Sequence, residues 1–244
     1  MTLRGRIKLA KRSKIPRILD WLSRDDHSSV RYWVARNPNI RSKTLTRLSR
    51  DEVWDIRQWV ALDPNTPVEA LDRLSRDESY TVRQRVAENP NMPVDILNRL
   101  SRDRNTGVRQ RVAENPSTPQ EMLTKLSTDI EWSVRREVAL NPDTPVETLD
   151  RLSRDEDEEV RQAVALSPNA PVEMLDRLSR DKEYWVRYYV AKNPNALVEI
   201  LTRLSRDKQQ RVREGVDENP KWKAIEDPSL FHVAKLASKW LKIL

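Results

Sequence analysis

TPVEALDRLSRDESYTVRQRVAENPN, residues 66–91, is one turn of a pattern that fills most of the chain. Thr66 followed by Pro67, with Glu69 three residues after the threonine, has the form of a helix start closed by a capping box. A short helix A is expected to follow, burying Val68, Leu71 and Leu74. Asp77 is expected to cap a second helix, B, through Val82, Arg83, Val86 and Ala87. That helix must stop at Asn89, because Pro90 denies its predecessor the α region.

Working outward, Leu-Ser-Arg-Asp or Leu-Ser-Thr-Asp ends at Asp25, Asp51, Asp77, Asp103, Asp129, Asp155, Asp181 and Asp207, a step of 26 residues throughout. Five residues after each Asp comes Val-Arg or Ile-Arg, and seven after each Arg a proline, from Pro38 to Pro220. Asn precedes that proline in six of the eight repeats. Helices of about ten residues are marginal alone in water, so each pair must be buried by its neighbours. The expectation is an all-α, right-handed solenoid of eight helix-pair repeats over residues 15–222, with a basic N-terminal arm or cap at 1–14 and a C-terminal capping helix at 223–244.

Residues 134–152 read Val-Arg-x-x-Val-Ala-x-Asn-Pro-x-Thr-Pro-x-Glu-x-Leu-x-x-Leu, which resembles the leucine-rich-repeat variant. The spacing of Asp77, Val82 and Arg83 is also similar to the second helix of HEAT repeats. The resemblance implies a binding protein. It also implies that the repeated Arg and Asp form a structural ladder, and that helix B lines a concave groove. Some variant proteins hold an iron–sulfur cluster on N-terminal cysteines; this chain has no cysteine, so neither that cofactor nor any other is expected.

Composition narrows the chemistry further. Two histidines at opposite ends, His27 and His232, give no metal cluster and no histidine-centred triad. Three glycines leave no phosphate-cradling loop, and no apolar stretch is long enough to span a membrane, so a cytoplasmic protein without metal or membrane partner is expected. The net charge of +7 is uneven: residues 1–50 carry fourteen Lys and Arg against three Asp, the remainder 31 against 35 acidic residues.

Charges on helix A read as a solvated face, with Glu69 four residues before Arg73 and Asp72 four before Arg76. In the first two repeats Arg17 and Lys43 replace that glutamate, and Arg4, Arg6, Lys8, Lys11, Arg12 and Lys14 precede them. This basic end is the place for nucleic acid, if that is the partner. Trp54, Tyr80, Trp132 and Tyr184 are expected as core filler. The helix B positions that stacking does not dictate carry Tyr32, Trp33, Trp59, Gln84, Arg85, Gln110, Arg111, Arg136, Trp185, Tyr188 and Tyr189. Trp, Tyr and Arg dominate interface energetics, so the expected function is a non-enzymatic scaffold holding a protein or peptide in that groove. The alternatives are nucleic-acid binding by the basic end and the Arg and Gln rows, and a glycosylase-like enzyme resting on Asp55 beside Trp33 and Trp59.

Overall fold

A computed structural model describes residues 1–226, which hold eighteen α-helices and no strand. They fall into two compact blocks, one over residues 1–126 and one from residue 127 onward. The last stretch assigned to a capping helix, including Leu230, Val233, Trp240 and Leu244, lies outside the described residues.

In the N-terminal block, α1 (Leu3–Arg12) precedes four helix pairs. The A helices are α2 (Pro16–Leu22), α4 (Ser42–Leu48), α6 (Val68–Leu74) and α8 (Val94–Leu100); the B helices are α3 (Ser28–Ala35), α5 (Trp54–Leu62), α7 (Tyr80–Ala87) and α9 (Thr106–Glu114). A fifth A helix, α10 (Gln120–Leu126), ends the block. The C-terminal block repeats the scheme: B helices α11 (Trp132–Leu140), α13 (Glu158–Leu166), α15 (Tyr184–Lys192) and α17 (Gln210–Glu218) alternate with A helices α12 (Val146–Leu152), α14 (Val172–Leu178) and α16 (Val198–Leu204). The helix α18 (Pro220–Glu226) follows, so Pro220 both ends α17 and opens the next helix. Each A helix is a seven-residue α-helix. Within each block successive B helices pack directly on one another, while successive A helices stand farther apart.

The seam is lined by Val82, Val86 and Ala87 from α7 and by Ala70, Leu71 and Leu74 from α6, all within 1% of full burial, and by their equivalents. Val68 is not among them. It begins the helix and is half exposed, as are Val94 and Val146, and position 70 (Ile96, Met122, Met174, Ile200) takes its place in the core. Trp54, Tyr80 and Trp132 are likewise exposed, because helix B starts with them and their rings project from its first turn instead of entering the seam.

Polar groups knit the repeats together in three ways. The repeat arginine donates from Nε and Nη2 to both carboxylate oxygens of the following repeat's Asp, as Arg57 does to Asp77 at 2.6 and 2.9 Å, and its Nη1 reaches the carbonyls of Asp51 and Glu52. The same bidentate rung joins Arg31 to Asp51 and Arg83 to Asp103 in the first block, and Arg135 to Asp155, Arg161 to Asp181 and Arg187 to Asp207 in the second. The Asp carboxylate also accepts the backbone N–H two residues on, as Asp77 does from Ser79. It therefore folds the turn before helix B instead of capping the helix.

The Asn before each proline forms a second set. Asn89, wholly buried, donates from Nδ2 to the carbonyls of Ala61 and Asp63 in the preceding repeat, and its Oδ1 accepts from Asn91 N–H. Asn37, Asn193 and Asn219 do the same. These carbonyls are the ones a helix leaves unpaired at its C-terminus.

A third set runs along the A helices. Arg99 crosses the seam to the Asp72 carboxylate at 2.8 Å and to the Ser75 hydroxyl, Arg177 to Asp150 and Ser153, and Arg203 to Asp176 and Ser179. The stripe expected to pair four residues back with glutamate reaches one repeat back at these positions, whereas Lys125, on Glu121, follows the expected spacing. The neighbouring stripe, just past the helix end, does pair four residues back, Arg76 on Asp72 and Arg180 on Asp176. Thr66 is also redirected: its hydroxyl donates to the Val60 carbonyl at 2.5 Å, and α6 starts without a side-chain cap.

Candidate functional site

The side chains left over from these three sets are those of the helix B face and the N-terminal end. At that end α1 packs on α3, and Arg6 binds Asp25 at 2.6 Å, so Arg6 is the first rung of the ladder and not part of a free basic patch. Its neighbours Arg4, Lys8, Lys11, Arg12, Lys14, Arg17 and Lys43 are exposed.

Above α1, the rings of Tyr32, Trp33 and Trp59 meet edge to face, Tyr32 standing 5.3 Å from Trp33 and 6.4 Å from Trp59. Two cations lie on them. Lys11 Nζ is 3.7 Å from the Trp33 centroid, and the Arg36 guanidinium, which the sequence analysis passed over, is 4.4 Å from Trp59 and 4.9 Å from Trp33. Arg36 donates to the Tyr32 hydroxyl at 3.2 Å. Beside the cluster is an open recess of about 320 Å³ lined by Ser28, Ser29, Tyr32, Trp33, Val53, Asp55 and Ile56. Asp55 is hydrogen-bonded there by Gln58.

Farther along the same block Arg85 binds Glu88 at 2.6 Å, while Arg111 binds Glu88 at 3.1 Å and Glu114 at 2.5 Å. The two glutamates, also missed in the sequence, neutralise the arginines expected to meet a phosphate chain. Gln84 and Gln110 flank them, half exposed, and the Gln84 amide occupies the space a Cβ on Gly107 would need.

In the C-terminal block Arg136 is held by the buried carboxylate of Glu137. Trp185, Tyr188 and Tyr189 form a ring cluster with centroids 5.2 to 6.4 Å apart, joined by Tyr184. Lys192 lies 5.6 Å from the Tyr188 centroid and binds Glu218 at 2.9 Å. The Glu218 carboxylate, then the Tyr188 hydroxyl, hold the Lys192 ammonium above its ordinary range. Gly215 leaves room for Tyr188, whose ring would touch a Cβ there at 3.0 Å.

The structure thus brings Tyr32, Trp33 and Trp59 into one cluster, Gln84, Arg85, Gln110 and Arg111 into a neutralised row, and Trp185, Tyr188 and Tyr189 into a second cluster. Among the described residues no group of three or more His, Asp or Glu stands close enough to hold a metal ion, and no helix is long and apolar enough to cross a membrane.

The family model described as leucine rich repeat variant matches residues 54–79, 132–157 and 158–183. A solved structure titled as a leucine-rich repeat variant with a novel repetitive structural motif is 28% identical, over 83% of this chain and 81% of that one, with a TM-score of 0.63. The Escherichia coli protein YibA is 17% identical over 89% of this chain and 96% of that one, at a TM-score of 0.46. A designed armadillo repeat protein in complex with the peptide (KR)4 is 13% identical over 84% and 97%, at 0.35. No curated protein matches by sequence. Three of the 26-residue units thus match the leucine rich repeat variant model, and the chain is similar in fold to a solved protein of that description over four fifths of both chains.

Proposed function

We propose that the chain is a non-enzymatic interaction scaffold that holds a protein or peptide partner on its helix B face. The observation that carries this reading is the contrast between the two kinds of side chain on that face. The arginine repeated on helix B is consumed by the ladder between repeats, whereas the rings that vary between repeats, Tyr32, Trp33 and Trp59 in one block and Trp185, Tyr188 and Tyr189 in the other, remain part exposed. Closer packing of B helices than of A helices supports putting that face on the concave side of each block. Large, stiff amphipathic rings contribute contact area at low cost in side-chain entropy, which is what a peptide-binding surface needs.

Nucleic acid is less well served. Glu88 and Glu114 stand among the groove arginines, and the Trp33 and Trp59 faces on which bases would stack carry cations already. An enzyme would need more than Asp55 in an open recess.

The test is selection of displayed peptides on the whole chain, followed by binding to a variant with Trp33→Ala and Trp185→Ala, with far-UV circular dichroism to show that both proteins are folded. Selected peptides should bind the variant about tenfold or more weakly. Equal binding to both proteins would place the site elsewhere and end this reading.

A further inference from the structure

Lys192 and Arg36 occupy the same position of the repeat, six repeats apart, and each cation rests on a tyrosine one turn earlier, Tyr188 and Tyr32. Lys192 has a counter-charge, because the residue one repeat on is Glu218, 2.9 Å away. One repeat on from Arg36 is Leu62, which has no charge to offer. Arg36 forms no ion pair among the described residues, and neither does Lys11, which shares the Trp33 ring with it. Both cations are exposed.

Two positive charges within 5 Å of one ring centroid repel each other, and the ring faces offset only part of that cost. The surroundings add more positive charge: α1 carries five basic residues and no acidic one, and α3 no acidic residue. Asp20 and Asp25, which could have answered, are bound to Arg47 and Arg6. In the B layer, Asp63, the residue after Leu62, turns its carboxylate to the Asn65 N–H at 2.8 Å, and Asp55, in the first turn of α5 and about 10 Å back along the helix by the rise per residue, accepts from the Gln58 amide.

We propose that Lys11, Trp33 and Arg36, with Leu62 beside them, form a receptor for an aspartate or glutamate side chain of an acidic peptide, seated as Glu218 is beside Lys192. The inference rests on the helix B face being the binding surface. A carboxylate there gains a charge-assisted hydrogen bond from a guanidinium held in place by three rings, while Leu62 offers its stem an apolar contact. A phosphate chain continuing along this face would meet Glu88 and Glu114, so a short peptide acid fits better than a polyanion.

The probe is blocked hexaglutamate, titrated against the whole chain and followed by tryptophan fluorescence, with hexalysine and a twelve-nucleotide oligothymidylate as comparisons. Arg36→Gln should weaken hexaglutamate about tenfold, and Lys43→Gln, the same loss of charge on an exposed side chain of the A layer, less than about twofold. Leu62→Glu supplies the missing carboxylate from within and should weaken hexaglutamate about tenfold with the melting temperature kept or raised, which reads the site even where Arg36→Gln fails to fold. Absence of hexaglutamate binding, equal losses from Arg36→Gln and Lys43→Gln, or tighter binding of the oligothymidylate would each overturn the proposal. Selection of non-acidic peptides that still need Trp33 would overturn it while leaving the scaffold reading intact; failure to select any peptide would remove both.

Discussion

Arg83 Nε and Nη2 grip the two carboxylate oxygens of Asp103, twenty residues later, at 2.6 and 3.0 Å, while its Nη1 holds the Asp77 carbonyl at 2.7 Å. Both side chains are about nine-tenths buried. Arg83→Ala should therefore lower unfolding stability in urea by about 3 kcal/mol, since a desolvated carboxylate is left without its partner. Arg76→Ala, an exposed pair with Asp72, should cost no more than about 0.5 kcal/mol. Equal effects of the two substitutions would mean the ladder is no more than surface decoration.

The ladder also sets a pH limit. At Asp103 and Asp207 burial is the largest single influence and pushes the carboxyl up, but the hydrogen bonds from Arg83 and Arg187, those from the Asn105 and Gln209 backbone N–H, and the neighbouring positive charges together outweigh it and hold both below the ordinary value of 3.8. A folded-state value below the unfolded one contributes stability that is present above the unfolded value and is lost as pH falls through the folded one. The arginines are raised further by the same bonds and stay charged throughout. Melting temperature should be level from neutral pH down to about 5 and drop below about 4. A melt that stays level to pH 3 would contradict the role of the carboxylates.

Position 63 is an aspartate where most repeats have asparagine before proline. A carboxylate cannot donate to the Ala35 and Asn37 carbonyls as Asn89 donates to Ala61 and Asp63. Asp63→Asn should stabilise by about 1 kcal/mol and Asn89→Ala destabilise by about 2 kcal/mol, both read from urea midpoints at constant slope. Loss of stability on Asp63→Asn would show that these amides are not what joins the repeats.

Glu88 and Glu114 pair with Arg85 and Arg111 in the middle of the first block. Replacing both with Gln should release Arg85 and Arg111, delay elution from heparin, and steepen the salt dependence of that retention by about two charges. Unchanged retention would mean that those arginines remain tied by other contacts.

The repeat made the helix pairs and the buried arginines legible, because a 26-residue step with Val-Arg at a fixed place leaves the guanidinium between apolar neighbours. Where helices start was less legible. Asp77 and Thr66 have the residue types of caps, yet Asp77 is drawn to Arg57, a partner that stacking provides, and Thr66 turns back to the Val60 carbonyl at the end of the preceding helix. For the same reason Arg99 turns from Asp95, four residues back, to Asp72, 27 residues back. Arg36, Glu88 and Glu114 shared a row of the helix B wheel that the sequence reading left aside. The signal was in that row: Arg36, Leu62, Glu88, Glu114, Leu140, Leu166, Lys192 and Glu218 vary where the seam positions do not.

Within each block, ladder arginines reach one repeat forward and clamp asparagines one repeat back, so an internal repeat gives and receives the same bonds at both faces. Removing or duplicating a 26-residue stretch inside a block would rejoin faces that carry the same ladder and clamp residues, save where a repeat departs from the pattern, as at Asp63. Array length is then free to drift by unequal recombination in steps of 78 nucleotides, at little penalty to folding, while single-residue insertions inside a repeat would break every contact across the seam they fall in.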